Sequence, residues 1–392
     1  MPSRRAEPAP LAARRIEDLQ RKQAAGDLQV RSAADYQSLV VQQGLAQAYQ
    51  QTDVVVAADT VFSDQGSLLL SLGPSDPPIR LRELQLGGVA AQVSGGGGEL
   101  VLPLGGALGD PSRRSGAQVL ADLLSGQRLP LQGLGEGTVL QPRLELGGAA
   151  QLADFGVARL LLHKAISENG IVAASSGDGL LRTPFGPLLG PLVSALYTCA
   201  GPGSIGLTMP ALSQLGPGSP VLVGGGLGWV LGAGSAHNPT VRRQASGHAC
   251  APGATAAVAV DLDQLDPALI RCGYLDGHGS AVLVAIAAPV LLLHGTIAAQ
   301  AAATAEDLQA PVLDLAIPRR VKPQLGMVPY SQLRAGRLAL AGQTLHCSPA
   351  HSPRLAAAAC ELLKDALQQG RFPLTAPLRP LPAQSGWNPF DP

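Results

Sequence analysis

The stretch "SLGPSDPPIRLRELQLGGVAAQV", residues 71–93, decides the fold class. Asp76 precedes Pro77, and Pro77 precedes Pro78, so contact with each proline ring drives the residue before it toward extended backbone. A carboxylate is thereby held on a stiff segment. Apolar residues then alternate at Ile79 and Leu81, slip by one position, and resume at Leu84 and Leu86. A slip inside a period-2 pattern predicts a β-bulge. Gly87-Gly88 predicts a two-residue hairpin turn, with Val89 opening the return strand. The stretch reads as a rigid acidic corner feeding a hairpin.

The same grammar continues outward. "GGGGELVLPLGG", "SPVLVGGGLGWVLGAGSAHNP" and "ATAAVAVDLDQLDP" are short apolar runs bounded by Gly-rich turns, and "TDVVVAADTVF" is a strand rich in β-branched residues. "GDLQVRS" is a further short strand, and "GRLALAGQTLHC" reads as a hairpin around Ala341-Gly342. Helices are fewer. One is expected from Ala13 to Ala25, stopped by Gly26, and another after Ser32, with Asp35 three residues on. A third covers "GAQVLADLLSG", 116–126. The last is capped by Ser352 with Pro353 at its first position. Its predicted apolar face is Leu355, Ala359, Leu362, Leu363 and Ala366, and Gly370 stops it. The fold class is α+β: a mixed, β-rich core with Gly-rich turns and a few amphipathic helices. Residues 1–11 are expected to be a disordered tail, 12–382 the folded domain, and 383–392 a Pro-rich C-terminal tail.

Composition narrows the function. The chain has 392 residues, 46% of them hydrophobic, with only two Trp, five Tyr and five Phe, so Leu, Val and Ala must fill the core. Twenty-eight basic residues balance 28 acidic ones. Without a basic stripe beyond clusters such as Arg319-Arg320, nucleic acid is not an expected partner. The five cysteines, Cys199, Cys250, Cys272, Cys347 and Cys360, are widely spaced, odd in number and lack CxxC, which fits a reducing compartment. The first 20 residues lack the apolar core of a signal peptide. The run Ala281–Leu293 is interrupted by Pro289 and too short to span a bilayer. A cytoplasmic location without membrane attachment is expected.

Motifs give little chemistry by themselves. "GPGSIG", 201–206, matches G-x-G-x-x-G, but Pro210 interrupts the adjoining segment and the next acid is Asp261, so it reads as a turn. His237-Asn238-Pro239 has two readings, a loop His able to bind a carboxylate or carry protons, and a plain Asn-Pro turn. His248, Cys250, Cys272 and His278 form two loose pairs, short of the ligand spacing that zinc requires, and no metal is expected.

Several of these blocks, in order, resemble the homocysteine-biosynthesis, sulfur-incorporation family. "GPSDPPIRLRELQLGGVAA" is similar to that family's Gly-x-Ser-Asp-Pro-Pro-Ile corner and strand. "RIEDLQRKQAAGD", "GAQVLADLLSG", "VLVGGGLGWVLGAGSAHNP" and "VLDLAIPRRVKPQLGMVPYSQLRAGRLALAG" are similar to further blocks, from about Arg15 to Pro382. The resemblance implies sulfur transfer to aspartate semialdehyde or a similar small aldehyde, from a cysteine persulfide. No cofactor is held directly; electrons would come from a ferredoxin-like iron–sulfur partner, with a sulfur-carrier protein as another partner. The chain departs from the family at its cysteines. Asp64 stands where one is usual, before the acidic corner, and Leu140 where a second is usual, before a Pro-Arg pair; "LLHKAISENG" replaces a polar Asn-Pro-Arg segment. The candidate catalytic residues are therefore Cys199, Asp76 and His237, with Cys199 as the remaining sulfur carrier. Ser75, Asn238, Arg319 and Arg320 are the candidate substrate-binding residues. A non-catalytic metabolite-binding or sulfur-relay assembly protein is the alternative.

Overall fold

The computed structural model describes residues 11–94, 98–106 and 114–385. The expected N-terminal tail apart from Leu11, and residues 386–392 of the expected C-terminal tail, lie outside them.

The organising pair is the strand Val54–Ser63 against the strand Gly279–Leu291, antiparallel from Val54↔Leu291 to Ser63↔Val282. The apolar runs Val54–Ala58 and Ala281–Ala288 are continuous because both faces are covered there. Val55, Ala57, Ile286, Ala288 and Val290 face the main core. Val54, Val56, Ala58, Ala285 and Ala287 face a second cluster, closed by the helices Ile16–Ala25 and Pro353–Gln368. Burying one such aliphatic side chain contributes about 1.5–3 kcal/mol. Pro289 is tolerated here although it cannot donate to the ladder. Two residues on, the Gln214 amide takes over the pairing, accepting from Leu291 N and donating to Leu291 O, both at 2.8 Å.

This pair sits in a sheet of fourteen strands among the described residues. The acidic corner feeds the distal part of that sheet. The strand Leu81–Leu86 pairs with Leu129–Gly135 and shifts register between Leu81 and Glu83, which is the predicted bulge. Gly87 and Gly88 turn the hairpin at φ 60° and 79°, values that only glycine adopts without strain.

A second, six-stranded sheet is built around Val172–Ala174, which pairs antiparallel with Ser194–Tyr197 and parallel with Gln309–Asp314. The strand Phe155–Ser167 belongs to the large sheet, and the residues after it lead directly into this smaller one. A separate hairpin, Gly179–Thr183 with Gly186–Gly190, projects from the junction.

The helices follow their local signals. Gly26 ends the first at φ 77°, Ser32 Oγ accepts from Asp35 N at 3.0 Å, and Ser352 Oγ accepts from Leu355 N at 3.4 Å. The 116–126 helix runs from Gly116 to Leu124. One face differs from expectation. In Pro353–Gln368 the buried side chains are Leu355, Ala356, Ala359, Leu363 and Leu367, whereas Leu362 is 44% exposed. The stripe follows i, i+4 spacing, and Leu362 falls one position off it.

Candidate functional site

A cavity of about 360 Å³ opens where the two sheets meet. Its inner wall is the end of Val54–Ser63. Asp59 stands opposite Ile286 in the ladder, so both point to the same side, and both line the cavity. Thr60 N donates to Asp59 Oδ1 at 2.8 Å, and Ala200 N lies 3.4 Å from Oδ2. Burial pushes the Asp59 carboxyl above its ordinary value, against a smaller opposing pull from His351.

Cys199 follows the strand Ser194–Tyr197 and is 5% exposed. Its thiol donates to Ser204 Oγ at 3.2 Å and accepts from Gly201 N at 3.5 Å. Burial first, and the charge of Asp59 second, push it up to about 12. At neutral pH a thiol of that kind is ionised in on the order of one molecule in 10⁵. Cys199 is therefore a neutral thiol in the resting protein.

The floor is a fully paired polar knot. Asn169 Oδ1 accepts from Tyr330 Oη and from Gly170 N, both at 2.7 Å, while its Nδ2 donates to Ala249 O and Gln309 O. Gly170 is required by crowding. A Cβ there would lie 2.5 Å from Cys199 Cβ and 2.8 Å from Thr198 Oγ1.

Lys164 and the pair Asp64–His278 complete the lining. Lys164 lies in Phe155–Ser167, beside the register shift between Leu162 and Ile166, is partly buried and lines the cavity. Burial lowers the pKa of its amine. His278 Nε2 is 3.2 Å from Asp64 Oδ2, outside hydrogen-bond alignment, and its ring centroid lies 5.7 Å from that of Phe62. Pro184 and Phe185, the turn of the projecting hairpin, form part of the rim. That hairpin contacts the turn bearing His278 through Arg182 Nε and Asp276 Oδ2, 2.5 Å apart and exposed.

Of the residues predicted from sequence, Cys199 lines this cavity and the others do not. Asp76 is exposed, and Ser75 Oγ donates to Pro77 O at 2.9 Å within the corner itself. His237 is buried with both ring nitrogens used. Thr255 N donates to Nδ1 at 3.1 Å, and Nε2 lies 2.9 Å from Pro382 O, which fits the Nε2-protonated tautomer. Its role here is to hold a turn and the C-terminal segment. Asn238 is exposed and accepts from Thr240 Oγ1 at 3.0 Å, and Arg319 and Arg320 are exposed. Asp59 and Lys164 were the cavity residues that sequence reasoning missed, and His278 was weighed there only as one of a loose metal-ligand pair. An acid interrupting "VVVAADTVF" and a lysine at an inward strand position were the available signals. Of the two positions where the resemblance leads one to expect a cysteine, Asp64 is in the cavity wall, and Leu140 is 84% exposed and outside it. No group of three or more His, Cys, Asp or Glu side chains suited to a metal occurs among the described residues, nor does a helix long and apolar enough to cross a membrane.

The chain is 27% identical over 369 residues to an L-aspartate semialdehyde sulfurtransferase of Methanosarcina acetivorans, covering 93% of this chain and 71% of that protein. It is 27% identical over 378 residues to the protein of the same name from Methanocaldococcus jannaschii, covering 92% and 72%. No solved structure matches. The family model described as "Homocysteine biosynthesis enzyme, sulfur-incorporation" matches residues 28–374, so the chain belongs to that family.

Proposed function

We propose that the chain incorporates sulfur into a small aldehyde bound in the cavity, with aspartate semialdehyde as the substrate and homocysteine as the product. One observation carries this reading: Cys199 and Asp64, the latter at a position where the resemblance leads one to expect a cysteine, line the same cavity although they are distant in sequence. The volume of about 360 Å³ is at the small end of ligand sites, which suits a short polar metabolite. Names of the two relatives supply the substrate.

Conversion of an aldehyde to a thiol has two balanced stages. Hydrosulfide replaces the carbonyl oxygen with loss of water, giving a thioaldehyde without redox change. Two electrons and two protons then reduce it to the thiol, which requires a donor such as a ferredoxin-like iron–sulfur protein. Cys199 enters as a neutral hydrogen-bonding group, because its burial opposes a standing thiolate.

The test is sulfide-dependent formation of homocysteine from aspartate semialdehyde, with a reduced iron–sulfur protein supplied, in wild type and Cys199→Ser. Product is expected from both. Product from wild type alone would make Cys199 the sulfur carrier instead. No product from either would remove the aldehyde reaction and leave a metabolite-binding protein.

A further inference from the structure

We infer that Lys164 captures the aldehyde by forming an imine through its Nζ, an inference that rests on the aldehyde reading above. The four lysines of the chain are Lys22, Lys164, Lys322 and Lys364, and three of them have partners. Lys22 Nζ is 2.7 Å from Asp53 Oδ1, Lys322 Nζ donates to Ile317 O at 2.7 Å, and Lys364 pairs with Glu361. Lys164 has no ion pair and no hydrogen bond among the described residues, yet it occupies an inward strand position on the cavity wall. A buried amine without a partner is costly, and that cost falls when the amine sheds its proton. A neutral lysine amine facing a cavity is the form that adds to carbonyl compounds.

The other titratable groups of the cavity fit the step. They are Asp59 from the central strand, Asp64 and His278 at the mouth, and Cys199 beside the floor. The Nζ lone pair forms a bond to the carbonyl carbon, and the C=O π pair moves to oxygen, which takes up the proton lost from nitrogen. The carbinolamine then breaks its C–O bond and loses water, with the proton for the leaving hydroxyl coming from a cavity acid. Asp59, which lines the same cavity and whose carboxyl burial keeps toward the protonated form, is the acid assigned to that transfer. Hydrosulfide next adds to the iminium carbon; the S–H proton then passes to nitrogen, the C–N bond breaks with its pair going to the amine, and the sulfur pair forms the C=S bond of the thioaldehyde. No electrons are exchanged in this sequence. It also needs no protein persulfide.

Reductive trapping tests the inference. Wild-type protein is incubated with aspartate semialdehyde, and in parallel with propanal, in the presence of cyanoborohydride, and the adduct is mapped by peptide mass spectrometry. At neutral pH the expected result is preferential labelling of Lys164 among the four lysines, lost in Lys164→Met, a variant that keeps the aliphatic stem and whose folding is checked by circular dichroism. Trapping at Lys164 is expected to begin at lower pH than at Lys364, whose pairing with Glu361 raises its pKa. No adduct at Lys164, or equal labelling of all four lysines, would overturn the imine. Homocysteine formation by Lys164→Met at the wild-type rate would also overturn it while leaving the aldehyde reaction intact. An adduct at Lys164 with no sulfur product from any sulfur source would support the imine and remove the sulfur reaction.

Discussion

Asp59 shows how a single side chain can trade stability for chemistry. Its carboxyl is desolvated, so the folded state binds the proton more tightly than the unfolded chain, whose pKa is about 3.9. Below that value both states are protonated and the residue costs nothing. As pH rises through the folded-state pKa the cost grows, and above it the cost is complete. Asp59→Asn, which can still accept from Thr60 N, should therefore raise the thermal midpoint at neutral pH. The gain should shrink toward zero near about pH 4. Thermal scans of both proteins across that range check this; a gain constant with pH would mean that desolvation of the carboxylate is not its source. The sequence made Cys199 visible by elimination among cysteines. It left Asp59 and Lys164 unnoticed, because one charged residue in an apolar run acquires meaning only when the neighbouring strands show that the position is covered.

Elements were the most legible level. Caps, stops and hairpins are encoded within a few residues, and Ser32, Gly26, Gly87-Gly88 and Ser352 all act where the local pattern places them. Links between elements are not encoded that way. Glu168, fully buried at the end of the strand that carries Lys164, accepts from Ala211 N and Ala254 N and from both terminal nitrogens of Arg243, 75 residues away. Arg243 also donates to Pro239 O and Gly247 O, so one ion pair fixes the loop after His237-Asn238 against the strand. Arg243→Ala leaves Glu168 buried and uncompensated. A loss of about 3–5 kcal/mol is expected, measured by urea unfolding. A loss under about 1 kcal/mol would show that water reaches Glu168 and replaces the guanidinium.

At the scale of the whole molecule the site belongs to a junction rather than to a motif. Val172–Ala174 sits between a strand from 194–197 and one from 309–314, so the order of strands that creates the cavity is set by contacts remote in sequence. Composition gave the α+β class, and the ordered blocks gave the family. The acidic corner that dominates the sequence, however, lies outside the cavity wall. Its pattern reports a hairpin, and the cavity is lined instead by residues with ordinary sequence neighbours. The cavity mouth adds a last consequence. Its two turns touch through Arg182 and Asp276, both exposed, and such a pair contributes no more than about 1 kcal/mol. Screening it should speed the exchange of a bound aldehyde, by at most about fivefold on going from low to high ionic strength. Stopped-flow release of a fluorescent aldehyde should show that dependence in wild type and lose it in Arg182→Ala. Entry to the cavity would then be governed by the salt content of the surrounding fluid, while the chemistry inside, shielded from it, proceeds at an unchanged pace.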